Sequence, residues 1–421
     1  MSIGKLVAGQ ERYYEQQVAR GLDDYYAGSG EAAGRWLGAS ASALGLEGEV
    51  DSDAFGALIA GRDPNSGEVL RARAGRDRVC ALDLTFSAPK SVSVLFAIGD
   101  SETSRTLVDA HEEAVAAAVG YLEREACRVR RGRGGRVELA AGGFVAAAYR
   151  HRMSRAGQPQ LHTHVVVANM ARGADGRWSA LHGYRLFQHA KAAGSLYQAH
   201  LRAAVRARLS WARWGEVRNG MAELDGVPSG VLRHFSRRRA EIIEWLRAED
   251  RSGRQSAEKA ALATREPKAE PVPLAPWCDR VRAEAAEHGF GDQELAVVTG
   301  ARERTPGRRV ELEAVGARLT GPDGLTSQRN SFEARHAIAD LAAAHRDGAR
   351  VEEVERATGR SWSGAMSLRL VVIRASGGTR RRACWPASGS SSMRRPAAGP
   401  RVPPWSMTSW SSACCLDCPC R

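Results

Sequence analysis

The chain has 421 residues, 43% of them hydrophobic, which fits two to three domains and a sizeable core. No apolar run reaches the ~18 residues of a spanning helix. Met1–Gln10 has no basic head, apolar stretch or cleavage site of a secretory signal, so no membrane insertion is expected and the expected compartment is the cytoplasm. The formal net charge of +13 invites a nucleic-acid reading, but Met366–Arg421 holds nine arginines against the single acid Asp417 and supplies +8 of it.

In chain order, Met1–Gly61 mixes helical patterns with two tyrosine doublets. Cys80–Phe86 (CALDLTF) alternates and is rich in strand formers, so it reads as a strand. Ser87-Ala88-Pro89 breaks it, and Pro89 is placed to start a helix. Glu102–Arg128 predicts a long amphipathic helix with Leu107, His111, Ala114, Ala118 and Leu122 near one face. Gly132–Gly135 is a turn between short strands. Gly143–Met153 and Gln160–Met170 read as two strands joined by Ser154–Pro159 into a hairpin, and Asp175-Gly176 marks a further turn. Tyr184–Leu209 returns to helix. The fold class read from this pattern is α+β, with an antiparallel sheet and long helices.

Residues 265–275 (REPKAEPVPLA) are charged and proline-rich, the composition of a linker. Residues 276–358 are helical in pattern, as in Phe332–Ala343 and Val351–Arg356. No G-x-x-x-x-G-K-[ST] phosphate loop occurs in the sequence, so neither ATPase nor helicase activity is expected of it. Beyond Gly359 the chain has no lysine and little periodicity, the composition of a disordered basic tail. Yet Trp385, Trp405, Trp410 and five of the eight cysteines lie there, which favours a shifted reading frame in GC-rich coding. Cys415-x-x-Cys418 lacks a second ligand pair and reads as accidental, while Cys80, Cys127 and Cys278 are scattered as in a reduced protein. The expected division is 1–264, 265–358 and 359–421.

Three histidines carry the chemistry. His162 and His164 alternate with Thr163 on the second strand of the hairpin, so both point to one face. His151 lies near the end of the preceding strand, where pairing would complete a three-imidazole cluster. Three imidazoles with open positions suit a Lewis-acid metal rather than a closed structural one. A lone histidine is more often core or surface, but two at strand spacing with a third on the paired strand argue for a ligand set. The doublets Tyr13-Tyr14 and Tyr25-Tyr26 sit in a polar stretch, whereas a purely packing pair belongs in an apolar one. A phenol with pKa near ~10 is a poor nucleophile at neutral pH, but a divalent cation and a base activate it for covalent catalysis. Asp83 shares a strand face with Thr85 and Ser87, opposite Leu82, Leu84 and Phe86. There it suits holding a metal-bound histidine in its tautomer or accepting a tyrosine proton, a solvated strand edge being the bland alternative.

The string LDLTFSAPKSVSVLF, the pattern HRMSRAGQPQLHTHVVVANM and the paired N-terminal tyrosines resemble the MobF-type conjugative relaxases, the TrwC/TraI family. The resemblance spans about Met1–Leu246 and continues more weakly to residue 358, like the segment that leads into the family's helicase. It implies a palm-like, split βαβ antiparallel sheet flanked by helices, of the His-hydrophobe-His endonuclease type. It also implies site- and strand-specific nicking of single-stranded DNA at a transfer origin beside a hairpin, through a 5′-phosphotyrosyl intermediate. By position, His151, His162 and His164 would bind a divalent metal (Mg²⁺ or Mn²⁺, with Zn²⁺ also suited), Tyr13 would be the first nucleophile, Tyr25 or Tyr26 the second, and Asp83 the supporting acid. Thr163 departs from the usual apolar middle residue, but it faces the other side of the strand. Accessory relaxosome proteins and a type IV secretion coupling protein are the implied partners. The alternatives are a rolling-circle replication initiator or transposase of the same nuclease class, or a non-catalytic DNA-binding remnant.

Overall fold

The computed structural model describes residues 1–7, 33–71, 79–154, 156–250, 273–300, 310–321 and 333–361, with isolated positions at 253, 256, 259–260, 263–264 and 324–325. Tyr13, Tyr14, Tyr25, Tyr26, Arg155, most of the proline-rich segment (265–272) and residues 362–421 lie outside the described residues.

The strands are β1 (Ser2–Val7), β2 (Arg35–Leu37), β3 (Val79–Ser87), β4 (Arg128–Arg131), β5 (Val137–Ala140), β6 (Ala146–Met153) and β7 (Pro159–Ala168), followed by two short pairs of residues at 171–172 and 178–179. Five of them form one sheet in the order β1-β3-β7-β6-β2, and each neighbouring pair is antiparallel. The helices that follow or flank these strands are α1 (Ala39–Ala43), α2 (Ser52–Ala60), α3 (Lys90–Ile98), α4 (Ser101–Ala126) and α5 (Gly183–Arg208).

Alternation along the strands divides the molecule into layers. Leu82, Leu84 and Phe86 of β3 and Leu161, Val165 and Val167 of β7 are buried in the main core with α3, α4 and α5. Ala81, Ala147, Tyr149 and Val166 face the other way and pack with Phe55 of α2. The buried stripe of α4 includes Leu107, His111, Ala114, Ala118 and Leu122, and α5 answers it with Ala192, Ala193, Leu196, Tyr197 and Ala204. Small alanines on both sides let the two long helices approach closely. Asp100 caps α4 by accepting the Thr103 backbone N–H at 2.7 Å.

The chain continues as α6 (Ser229–His234), α7 (Arg237–Ala248), α8 (Leu274–Glu287), α9 (Asp292–Thr299), α10 (Leu312–Thr320), α11 (Ala334–Ala344) and α12 (Val351–Ser361). Trp277, Val281, Ile338, Leu341, Val351 and Val354 of these later helices belong to the same buried core as the sheet. Arg202 of α5, fully buried, donates to the carbonyls of Ala342 at 3.2 Å and His345 at 3.1 Å, tying the end of α11 to the older core. Among the described residues no helix is long and apolar enough to cross a membrane.

Two elements differ from the sequence reading. Met1–Gly61 contains strands β1 and β2, not only helical patterns; both are short edge strands whose exposed face removes the apolar signal. The strand expected from Gly143 begins at Ala146, because Gly143 has φ 138 and an added Cβ there would lie 2.7 Å from the Ala39 side chain.

Candidate metal centre and active site

Pairing between β6 and β7 sets His151 directly opposite His162, and β3 sets Thr85 opposite His164 and Ser87 opposite His162. All three imidazoles therefore leave the same sheet face, opposite the long helices. One ring nitrogen from each lies within 4.8 Å of those of the other two, and the ring centroids stand 5.1–5.2 Å apart. Small rotamer adjustments bring such a triangle to the ~2.0–2.1 Å of imidazole–metal bonds.

The hydrogen bonds behind the rings decide which nitrogen faces inward. His162 donates Nδ1–H to the Gln160 carbonyl at 2.7 Å, which leaves Nε2 as the nitrogen able to bind a metal. His164 Nδ1 lies 2.9 Å from both carboxylate oxygens of Asp83, so the same tautomer is favoured there. The Thr85 hydroxyl, 3.4 Å from Asp83 Oδ1, adds a weak donor to that carboxylate. Burial first, and then the neighbouring His164, pushes the His162 pKa down to about 3, so the ring is neutral at physiological pH. Neutral imidazole is the metal-binding form. The donor set thus fits a divalent cation: three imidazoles, one oriented by a carboxylate, on a half-buried face.

Thr163 points to the opposite layer. Its hydroxyl is 2.8 Å from His111 Nε2, and His111 Nδ1 is 2.8 Å from the Tyr197 hydroxyl. Burial, with Arg150 adding to it, pushes the His111 pKa down to about 3, and burial raises the Tyr197 hydroxyl well above its ordinary value. The network is therefore neutral and fully satisfied, which explains how a polar residue occupies the middle of the ligand strand.

Both lowered histidines give a pH prediction for the metal-free protein. Their folded pKa values of about 3 lie below the ordinary 6.5, so unfolding takes up protons between those limits. The stability is fully present above pH 6.5 and is lost as pH falls through the window toward 3, by up to about 1.4 kcal/mol per pH unit for each group. Urea titrations at pH 7.5, 6 and 5 should show a declining midpoint. A flat profile would mean that these rings are not held neutral by burial.

Sequence reasoning did not assign a role to the residues just after Asp83. Ser87-Ala88-Pro89-Lys90 and Ser93 hold the start of β7. The Ala88 N–H donates to the Leu161 carbonyl at 2.9 Å, and the Leu161 N–H donates to Ser93 Oγ at 3.0 Å. The Lys90 ammonium donates to the Pro159 carbonyl at 2.6 Å and to the Gln160 side chain at 3.0 Å. Burial pushes the Lys90 pKa down to about 8, opposed by Glu223. The visible signal was the string itself, which carried the resemblance. Arg150 turns to the helical side and pairs with Glu112 at 3.1 Å.

An antiparallel sheet with three convergent histidines on adjoining strands, one of them backed by a carboxylate, defines the class of sheet proteins able to hold a divalent metal through a His-x-His pair and a third histidine. Within that class the chain belongs to the TrwC relaxase family, whose model matches residues 7–288. The multifunctional conjugation protein TraI of Escherichia coli is 35% identical over 302 residues, and its counterpart from strain K12 is 36% identical over 281. The matched regions cover 69% and 64% of this chain but only 16% and 15% of those proteins. Three solved structures of the conjugative relaxase TrwC are 30% identical and cover 68% of this chain and 99% of theirs. They are a metal-free complex with oriT DNA (TM-score 0.58), a metal-bound one (0.59) and a complex with a 27-mer comprising the recognition hairpin and the cleavage site (0.58).

Proposed function

We propose that this chain nicks one strand of a plasmid transfer origin in conjugation and joins itself to the DNA through a tyrosine. The observation that carries the reading is the histidine triangle of at most 4.8 Å with Asp83 behind His164, in a member of the TrwC relaxase family. A divalent ion bound there, Mg²⁺ or Mn²⁺ before Zn²⁺, supplies Lewis-acid stabilisation of the charge that develops on the scissile phosphate.

The chain's own residues do the rest. His151, His162 and His164 hold the ion, and Asp83 keeps His164 in its ligating tautomer. The phenolic oxygen of Tyr13 attacks phosphorus and its proton is lost to water. A phosphotyrosyl bond forms to the 5′ side, the bond to the 3′ oxygen breaks, and that oxygen takes up a proton to leave as a 3′ hydroxyl. The number of phosphoester bonds is unchanged, so no nucleotide is consumed and the step is reversible. Tyr25 or Tyr26 carries the second transfer at termination, with Tyr14 as the alternate to Tyr13. The DNA partner is a single strand with an adjacent hairpin, as in the TrwC complex with the 27-mer. Relaxosome proteins and a secretion coupling protein are the proposed protein partners, and the cytoplasm is the proposed compartment.

The test is incubation of the chain with labelled single-stranded oligonucleotide libraries carrying transfer-origin sequences, with and without Mg²⁺ or Mn²⁺. A detergent-resistant protein–DNA adduct that appears only with metal is the expected result. Sequence-independent cutting without an adduct would overturn the tyrosine mechanism.

A further inference from the structure

His151 and His162 stand opposite each other at the last regular pair of the β6–β7 ladder, next to the turn that joins the two strands. The β6–β7 ladder slips its register between His151 and Met153; beyond the slip Met153 pairs with Pro159, and the Ser154 N–H donates to the Gln158 carbonyl at 2.8 Å. A helix more than a hundred residues downstream also grips this end of the hairpin.

Trp277 of α8 is fully buried and donates its indole N–H to the Gly157 carbonyl at 2.9 Å. Arg280, one turn further on, donates to the same carbonyl at 2.8 Å. The turn accepts this approach because Gly157 has φ 70, and an added Cβ there would lie 3.2 Å from the Arg280 guanidinium. The guanidinium of Arg152, buried beside the ligand His151, lies over the Trp277 ring at 5.5 Å from its centroid. One indole thus touches the hairpin at its tip through the N–H and next to a metal ligand through its face. The Gln158 side chain adds a third tie, donating to the His234 carbonyl of α6 at 3.1 Å.

We propose that Trp277 is a positioning residue of the metal centre: with Arg280 it clamps the β6–β7 hairpin so that His151 and His162 meet at metal-binding separation. The proposal rests on the reading of the three histidines as that centre. It also extends the catalytic unit past the proline-rich segment, through Glu287, beyond the boundary at 264 that composition suggested.

The test reads Mn²⁺ affinity of the full chain without DNA, by calorimetric titration, beside the melting temperature of the metal-free protein. Trp277→Phe keeps an aromatic face for Arg152 and removes the indole donor; combined with Arg280→Met it leaves the Gly157 carbonyl without either donor. The double variant should raise the Mn²⁺ Kd about tenfold, in the range found when outer-shell partners of a metal site are removed. Arg280→Met alone changes a half-exposed side chain without opening the core, so it keeps the test valid if Trp277 variants fail to fold; it should raise Kd by more than twofold but less than the double variant does. A Kd within twofold of wild type for these variants, whatever the melting temperature, would assign Trp277 to core packing alone and overturn the proposal. Wild-type protein that binds no Mn²⁺ would remove the metal centre and the clamp together. Shifted Mn²⁺ affinity in a chain that nicks no DNA would keep the clamp and remove the relaxase reading.

Discussion

Tyr13→Phe is expected to eliminate the covalent protein–DNA adduct while leaving affinity for the oligonucleotide within about twofold of wild type. The substitution removes one oxygen and nothing else, so the ring's packing and any base stacking persist, but no nucleophile remains to form the phosphoester. Loss of a nucleophile costs on the order of 10⁴-fold or more in rate, well past detection on a denaturing gel. Tyr25→Phe and Tyr26→Phe should spare this first cleavage and impair the second transfer, read by supplying a second labelled strand to the preformed adduct. The doublets make the experiment discriminating, since each has a neighbour of identical chemistry one residue away. Undiminished adduct from Tyr13→Phe would move the first step to Tyr14 or to the second pair, and Tyr14→Phe on the same gel separates those outcomes.

The parts of the molecule that the sequence disclosed are those whose signal is local. Alternation in CALDLTF marked β3, and a 3.6-residue apolar period marked the helix that runs from Ser101 to Ala126. The histidine cluster was legible because alternation puts His162 and His164 on one face and a short hairpin brings His151 opposite them. Asp83 could be placed on a face, but not against a particular histidine, because that depends on β3 pairing with β7 in one register, bringing together residues 81 apart in sequence. Strands β1 and β2 escaped notice because an edge strand needs little apolar content. The partners of Thr163 were invisible for another reason: His111 reads as one more member of an amphipathic stripe, and only the packing of α4 and α5 against β7 brings its two nitrogens between hydroxyls. The grip of Trp277 on Gly157 spans 120 residues and passes a segment whose composition announces a boundary, so composition pointed away from it.

Asp83→Asn is expected to weaken metal binding by about 10–100-fold, the usual effect of removing the anionic partner of a ligating histidine. Both carboxylate oxygens lie 2.9 Å from His164 Nδ1, and the Thr85 hydroxyl stands 3.3 Å from the same nitrogen. The carboxylate is thus committed to the ring rather than held open toward a phenol, which favours orientation over proton abstraction. Asparagine keeps a carbonyl acceptor but loses the charge that makes the imidazole a better donor to the ion, and its amide N–H₂ presents no lone pair to the ring. Nicking measured across a Mn²⁺ titration separates the two roles. If Asp83 orients His164, the half-saturating Mn²⁺ concentration rises while the rate at saturation approaches wild type. If Asp83 instead takes the proton of Tyr13, the rate stays low at every Mn²⁺ concentration, because added metal cannot replace a base. Wild-type rates at all concentrations would remove Asp83 from the site, and the hydrogen bonds to His164 would then serve only to pair β3 with β7.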